Sequence, residues 1–333
     1  MSAADIPYQL RPNKFIDRQM FVEMLSRLLI PCGPEKYVYV SMGGRHLIDH
    51  HAIYNKLGID ALFSFDKTEN EVLRQKFNRP TGRMRCEVLD SGELPARLDG
   101  IVDTFRGKEN LVVWLDYTSS EWRSQFQEAV QTLLKLRHGD VFRITLHANP
   151  KTLEDHAKKR SAENQTKNPS IRRAEQLRVE IAEFMPAGIE TIKEEEFPTV
   201  LVRCLELAVS SAVEQRPELR ITPTLITTYR DGCRMVTVAC AVSERDQEPE
   251  FPDRRFKRWK FACKGWSDIQ SIFVPTLSSK EQLRLDSRLN LCGKRMLKGL
   301  PFLPDKDEEA SLKAIQSYKR FHRYYPTFRH VED

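Results

Sequence analysis

From Tyr37 to Leu146 the chain alternates short β-branched and aromatic runs with amphipathic segments, and no other feature limits its possible folds as much. The β-rich runs are residues 37–40, 61–65, 84–89, 111–115 and 141–146. Helical spacing fills the intervals at 47–57, 69–77 and 94–105, and again from about 119 to 136, where Trp122, Phe126, Val130, Leu133 and Leu134 share one face. Strands separated by helix-length segments cannot pair through tight hairpins. They pair in parallel through right-handed crossovers, which predicts an α/β protein with helices on both faces of a mostly parallel sheet.

The flanking segments extend that organisation. Apolar residues from Phe15 to Leu29 recur at helical spacing, and Pro31, Gly33 and Pro34 then stop the helix. Residues 149–178 are polar and strongly charged, which predicts a surface insertion, mobile or partly ordered, with little to bury. A helical stretch at 200–213 precedes two β-rich runs, 225–229 and 235–242, and Asp231-Gly232 between them signals a hairpin. The expected plan is an N-terminal helical segment (1–34), a Rossmann-like domain (35–243) with the insertion at 149–178, a linker at 244–253, and a basic-aromatic extension (254–333). Tyr37 to Val40 should be central in the sheet and the hairpin near one edge.

Composition narrows the setting. A 333-residue chain with 40% hydrophobic and 30% charged residues can bury a substantial core. It has no apolar run of membrane-spanning length and no secretory leader pattern, so a cytoplasmic location is expected. The seven cysteines are scattered and form no CxxC, and most sit among apolar neighbours, the pattern of reduced, structural thiols. A net charge of +6 is compatible with an anionic partner or with solubility alone.

Five parallel strands, an insertion, a helix and a hairpin resemble the seven-stranded sheet of class I methyltransferases. In such a sheet ligands bind beyond the carboxyl ends of the strands. Ser41-Met42-Gly43-Gly44 stands at the first end, where glycine lets the backbone approach the amino acid part of S-adenosylmethionine. Two glycines depart from the usual GxGxG, and a plain strand-to-helix turn explains them equally well. Asp66, after the second strand, can accept from both ribose hydroxyls or cap the next helix. Asp90 and Ser91, after the third, can face adenine or cap a helix.

At the fourth end Asp116 can orient or deprotonate an acceptor hydroxyl or amine, and Tyr117 can wall the sulfonium or the acceptor. The alternative for Asp116 is a carboxylate serving a helix N-terminus. His147, ending the fifth strand, is a second base candidate. His46, His50, His51 and His156 are the histidines to weigh as metal ligands or bases. His46 and His50 stand four apart, but no third ligand cluster accompanies them, and no metal is expected.

The run from Tyr37 to Asn149, with Gly43-Gly44, Phe65-Asp66, Phe77-Asn78-Arg79-Pro80 and Trp114-Leu115-Asp116-Tyr117, resembles bacterial methyltransferase-like proteins of the O-methyltransferase type. The resemblance implies a Rossmann-like fold, S-adenosylmethionine as cofactor, and for some members a place in antiviral defence loci. Phe273-Val274-Pro275 and Tyr324-Tyr325-Pro326 resemble them with less specificity.

Basic residues interleave with aromatics at Arg254, Arg255, Lys257, Arg258 and Lys260, and again from Tyr318 to Tyr325. Such segments can hold phosphates and stack on bases, or pack amphipathically with solvated cations. Two functional readings follow: a cofactor-dependent methyltransferase, and a catalytically silent module that binds nucleotide, nucleic acid or protein within a larger complex. A nuclease would need converging carboxylates, which the sequence does not assemble.

Overall fold

The computed structural model describes residues 11–29, 32–160, 168–245 and 250–326. Its strands are β1 (Tyr37–Ser41), β2 (Ala61–Asp66), β3 (Arg85–Val88), β4 (Asn110–Asp116), β5 (Val141–His147), β6 (Leu219–Asp231), β7 (Cys233–Glu244) and β8 (Ile269–Ile272). They form one sheet in the order β3-β2-β1-β4-β5-β7-β6-β8. The first five strands pair in parallel, and β7 pairs antiparallel to β5. Order reverses between β1 and β4, so two neighbouring crossovers leave the sheet in opposite directions.

The fold is the Rossmann-like α/β class expected. It carries one strand more than the expected seven, because β8, from the segment assigned to a C-terminal extension, adds to the far edge. Four residues with weak alternation carry too little pattern to mark a strand in the sequence.

Helices follow the strands: α1 (Pro12–Leu29), α2 (Ile48–Leu57), α3 (Glu69–Asn78), α4 (Leu94–Thr104), α5 (Trp122–Leu133), α6 (Pro150–Arg160), α7 (Pro169–Ile181), α8 (Phe197–Gln215), α9 (Ser279–Asp286), α10 (Gly293–Leu297) and α11 (Glu308–Phe321). The two sheet faces differ in chemistry. Val38, Val40, Phe63, Phe65, Val113, Leu115, Phe142, Ile144 and Leu146 join the apolar side chains of α4, α5 and α8 in one core. At about 25 cal/mol per Å² of buried apolar surface, this face supplies the main drive to fold.

The alternate residues carry polar groups into the interior. Tyr39 Oη and Ser41 Oγ both donate to Asp49 Oδ2, at 2.7 and 2.9 Å, tying β1 to α2. The Arg143 guanidinium lies 4.2 Å from the Trp114 ring centroid, and Trp114 Nε1 donates to Thr145 Oγ1 at 2.9 Å. Period-two alternation thus places an apolar face and a hydrogen-bonded face on the same strands.

The chain divides into two compact units. The larger comprises residues 22–226 and 235–270 and contains β1 to β5 with α2 to α8. The smaller, among the described residues, takes 11–21, 227–234 and 271–326. Within the smaller unit Asp231 accepts from Asn13 Nδ2 at 2.8 Å and from the Lys14 amide at 2.6 Å. Val274 donates its amide to Asn13 Oδ1 at 2.8 Å, and Tyr325 Oη to the Pro275 carbonyl at 2.9 Å. Both tripeptides noted in the sequence therefore serve packing in this unit.

The insertion buries more than its charged sequence suggests. Residues 150–160 and 169–181 are helices whose Leu153, Ala157, Ala174, Leu177 and Ile181 are buried. The few apolar residues of a charged stretch fall on one side of each helix, which suffices to dock them. Residues 161–167 of the insertion and 246–249 of the expected linker lie outside the described residues.

Candidate functional site

Parallel pairing brings five strand ends to one rim. Ser41 is level with Ser64 and Trp114, Asp66 with Val88, and Asp116 with Thr145. The residues singled out at 41–44, 66, 90–91, 116–117 and 147 all follow from these ends. Their local duties differ.

Gly43 and Gly44 both have positive φ, +69° and +56°. A Cβ on Gly43 would stand 2.7 Å from Leu47 Cδ2 and 2.8 Å from both His50 Cε1 and Ser64 Oγ, so that glycine is required by packing. A Cβ on Gly44 would meet nothing within 4 Å. The turn is braced from α3: Gln75 Nε2 donates to the Met42 carbonyl at 3.0 Å and Asn78 Nδ2 to the Arg45 carbonyl at 2.8 Å. The Phe77-Asn78 motif thus contributes its asparagine to holding the loop after β1.

Asp66 is half-buried and its Oδ1 accepts the Thr68 amide at 2.8 Å. Asp90 is exposed and forms a capping box with Glu93 before α4. Asp90 therefore caps the helical turn leading into α4, the alternative to ligand binding, whereas Asp66 braces the turn before α3, whose N-cap is Thr68; each uses one oxygen on a backbone amide. Ser41 is buried and committed to Asp49.

Asp116 is half-buried at the end of β4. Tyr117 is buried in the apolar core, and its hydroxyl donates to Glu128 on α5. Burial, with Glu128 adding to it, pushes the Tyr117 phenol far above its ordinary value, so it stays protonated across the working pH range. Its side chain belongs to the same apolar core as Leu89 and Trp122. His147 is half-buried, and burial lowers its pKa, which keeps the imidazole neutral at pH 7. His46 is exposed, whereas His50 is buried and hydrogen-bonded through Nε2 to the Phe63 carbonyl at 3.1 Å, so the two do not form one ligand pair.

A groove of about 800 Å³ opens where the first turn of α5 meets α6 and α7. Ser120, Trp122, Arg123, His156, Gln176 and Glu180 are among its walls. Trp122 connects it to the strand rim, because Nε1 donates to the His147 carbonyl at 2.8 Å. His156 Nδ1 donates to Glu180 Oε1 at 2.8 Å, and Gln176 Nε2 donates to the same oxygen at 2.7 Å. With Nδ1 holding the proton, Nε2 is the basic nitrogen of a carboxylate-oriented imidazole. Sequence reasoning weighed His156 as a metal ligand or base and missed its partner Glu180. The residues are 24 apart in sequence on two different helices, a pairing that no motif spacing announces.

A family model described as "Putative O-methyltransferase" matches residues 6–333. The chain belongs to that family. No curated protein matches it. Among solved structures, a SAM-dependent methyltransferase from Anabaena variabilis is similar at 8% identity and a TM-score of 0.36, covering 68% of this chain and 84% of that one. One from Clostridium acetobutylicum gives 10% and 0.35, over 72% and 93%. TrmK of M. capricolum, solved with S-adenosyl-homocysteine, gives 11% and 0.32, over 87% and 89%. The fold assignment of this O-methyltransferase family member rests on its own strand order.

The basic-aromatic segment packs its rings inward. Phe256, Trp259 and Phe261 are buried, while Arg254, Arg255, Lys257, Arg258 and Lys260 are exposed and Lys257 pairs with Glu250 at 2.6 Å. Among the described residues no helix is long and apolar enough to cross a membrane.

Proposed function

We propose that this chain transfers the methyl group of S-adenosylmethionine to an acceptor hydroxyl at the rim formed by the ends of β1, β2, β3 and β4. The observation that carries the reading is the family match over residues 6–333, which spans every strand of the sheet. The rim fits such a cofactor: Gly44 leaves space beside its backbone, and Asp66 uses Oδ1 for a turn amide while no described residue bonds Oδ2. Gly43 and Gly44 would border the amino acid part, Asp66 the ribose, and Asp90 and Ser91 the adenine. When bound, the cofactor supplies a sulfonium-activated methyl group, so the protein's work is alignment and proton removal.

The residues for proton removal are Asp116 and His147 at the strand ends. The His156–Glu180 pair in the adjoining groove is a third base, its imidazole oriented by the Glu180 oxygen that Gln176 also holds. Glu121 and Glu180 line that groove and Arg123 is tied to Glu183 at 3.1 Å, so its charge favours a neutral or cationic acceptor over an anionic one.

A second reading keeps the fold without turnover, as a silent module of a defence complex. The duties of Gly43 in packing and of Asp90 in capping favour it, since neither needs a ligand to explain it. Calorimetric titration with S-adenosylmethionine and S-adenosyl-homocysteine separates the two. Saturable binding of both supports the enzyme; absence of binding at millimolar cofactor rejects it in favour of the module.

A further inference from the structure

β3 ends the sheet, and among the described residues no strand pairs with its outer side. The direction of its backbone groups follows from one bond. Leu89 donates its amide to the Asp66 carbonyl at 3.1 Å, so alternation turns the amides and carbonyls of Arg85 and Glu87 towards β2 and those of Cys86 and Val88 outward. An outward row of unpaired groups is a template for another strand.

The flank of this edge is apolar where an isolated surface would be polar. Phe77 is 89% exposed, and Leu73, one turn earlier on α3, is 55% exposed, as is Val88 on the strand itself. Lys76 and Arg79 line a small groove with Arg85, Cys86 and Glu87, which places the last turn of α3 beside the middle of β3. Phe77 follows Lys76 on that turn and is exposed.

We propose that β3 pairs antiparallel with β3 of a second copy of this chain about a two-fold axis at Cys86, and that Phe77 and Leu73 of both copies close over the joint. Three observations select this occupant. The outward groups of Cys86 and its mate form the reciprocal hydrogen-bonded pair an antiparallel ladder requires. Arg85 of each copy then lies opposite Glu87 of the other, in the non-hydrogen-bonded position where side chains are closest. A slip that centres the axis on Glu87 instead opposes two like charges, so charge complementarity sets the register. The apolar flank, repeated by symmetry, makes the self-complementary patch that a two-fold interface needs.

Sedimentation of the 333-residue chain between about 1 and 100 μM tests this. Wild type should form dimers. Arg85→Glu and Glu87→Arg should each weaken dimerisation roughly tenfold or more through two symmetry-related like-charge pairs, and the double variant should recover it. Glu87 also pairs with Arg97 at 2.9 Å, so a melting curve accompanies its variants. Phe77→Ser removes a side chain that packs on little in the monomer; it should give a folded monomer of unchanged melting temperature. In the wild-type dimer, the Cys86 and Val88 amides should exchange slowly with solvent, and Phe77→Ser should make them fast. A wild-type monomer at 100 μM overturns the proposal. So does a dimer indifferent to Phe77→Ser and to both charge reversals, or slow exchange at Cys86 and Val88 in a monomer, which would mean that the same chain covers its own edge.

Discussion

Trp122 on α5 donates its indole N–H to the main-chain carbonyl of His147 at the end of β5, 2.8 Å away. The bond ties the floor of the α5–α7 groove to the strand rim. The ring is also stacked edge-on against Phe197 of α8, with centroids 5.6 Å apart. Trp122→Phe keeps an aromatic ring and removes the donor, leaving a carbonyl unsatisfied in a largely buried place. Urea denaturation should show a loss of roughly 1–3 kcal/mol. Unchanged stability would mean that water or another donor replaces the indole, and that the bond does not couple the two regions.

The two glycines after β1 should respond differently to alanine. At Gly43 a methyl group meets three side-chain atoms under 3.0 Å and the backbone has positive φ, so Gly43→Ala should cost roughly 2–4 kcal/mol. At Gly44 only the backbone strain applies, about 1 kcal/mol. The informative readout for Gly44→Ala is the calorimetric titration. Cofactor affinity falling tenfold or more, with only a small drop in melting temperature, supports close approach of the ligand to the backbone; unchanged affinity removes Gly44 from the site.

Asp66 has a structural and a proposed binding duty, which two substitutions separate. Asp66→Asn retains an acceptor for the Thr68 amide, whereas Asp66→Ala removes it and should cost about 1 kcal/mol of stability. Both should weaken S-adenosylmethionine binding, because each removes the second carboxylate oxygen. If Asp66→Asn binds cofactor as wild type does, the carboxylate serves the turn alone. Asp116→Asn, by contrast, should leave cofactor affinity within about threefold while lowering any methyl transfer about a hundredfold or more where Asp116 is the base.

The stability of the fold should carry a signature of Asp140. Its carboxyl is buried and accepts the Leu111 amide at 2.7 Å and the Arg137 amide at 2.8 Å; burial outweighs these donors and pushes its pKa up to about 6, from 3.8. The folded chain then holds a proton that the unfolded chain has released between about pH 4 and 6, so this group's contribution falls as pH rises through that window and is level above it. A tenfold difference in proton affinity between the folded and unfolded chains corresponds to about 1.4 kcal/mol. Urea midpoints of wild type and Asp140→Asn, followed from pH 4 to 7, should therefore show the difference moving against wild type up to about pH 6 and holding steady above it. A difference constant with pH would show the carboxylate ionised throughout.

The sequence by itself determined the architecture, because strand and helix periods are local. Runs such as Tyr37 to Val40 and Leu111 to Leu115 are buried on both faces in a parallel sheet and therefore read as nearly continuous apolar stretches, and the crossovers between them leave one handed solution. It also named the strand ends, since a residue that closes a β-rich run stands at the rim wherever the strand lies in the sheet. Asp66 and Asp116 were legible in that way; the use of Asp66 Oδ1 by a neighbouring amide was legible only as an alternative.

Tertiary structure alone decided what those neighbours do. Gly43 is needed because His50 and Ser64, 7 and 21 residues away, crowd it, and the Tyr117 hydroxyl turns to Glu128 because the alternation of β4 and β5 aims its ring into the core. The docking of the charged insertion, the meeting of His156 with Glu180, and the open edge at β3 likewise arise between segments distant in sequence. Periodicity records which face of an element is apolar. It does not record which other face it meets, and that meeting is where buried polar groups find their partners.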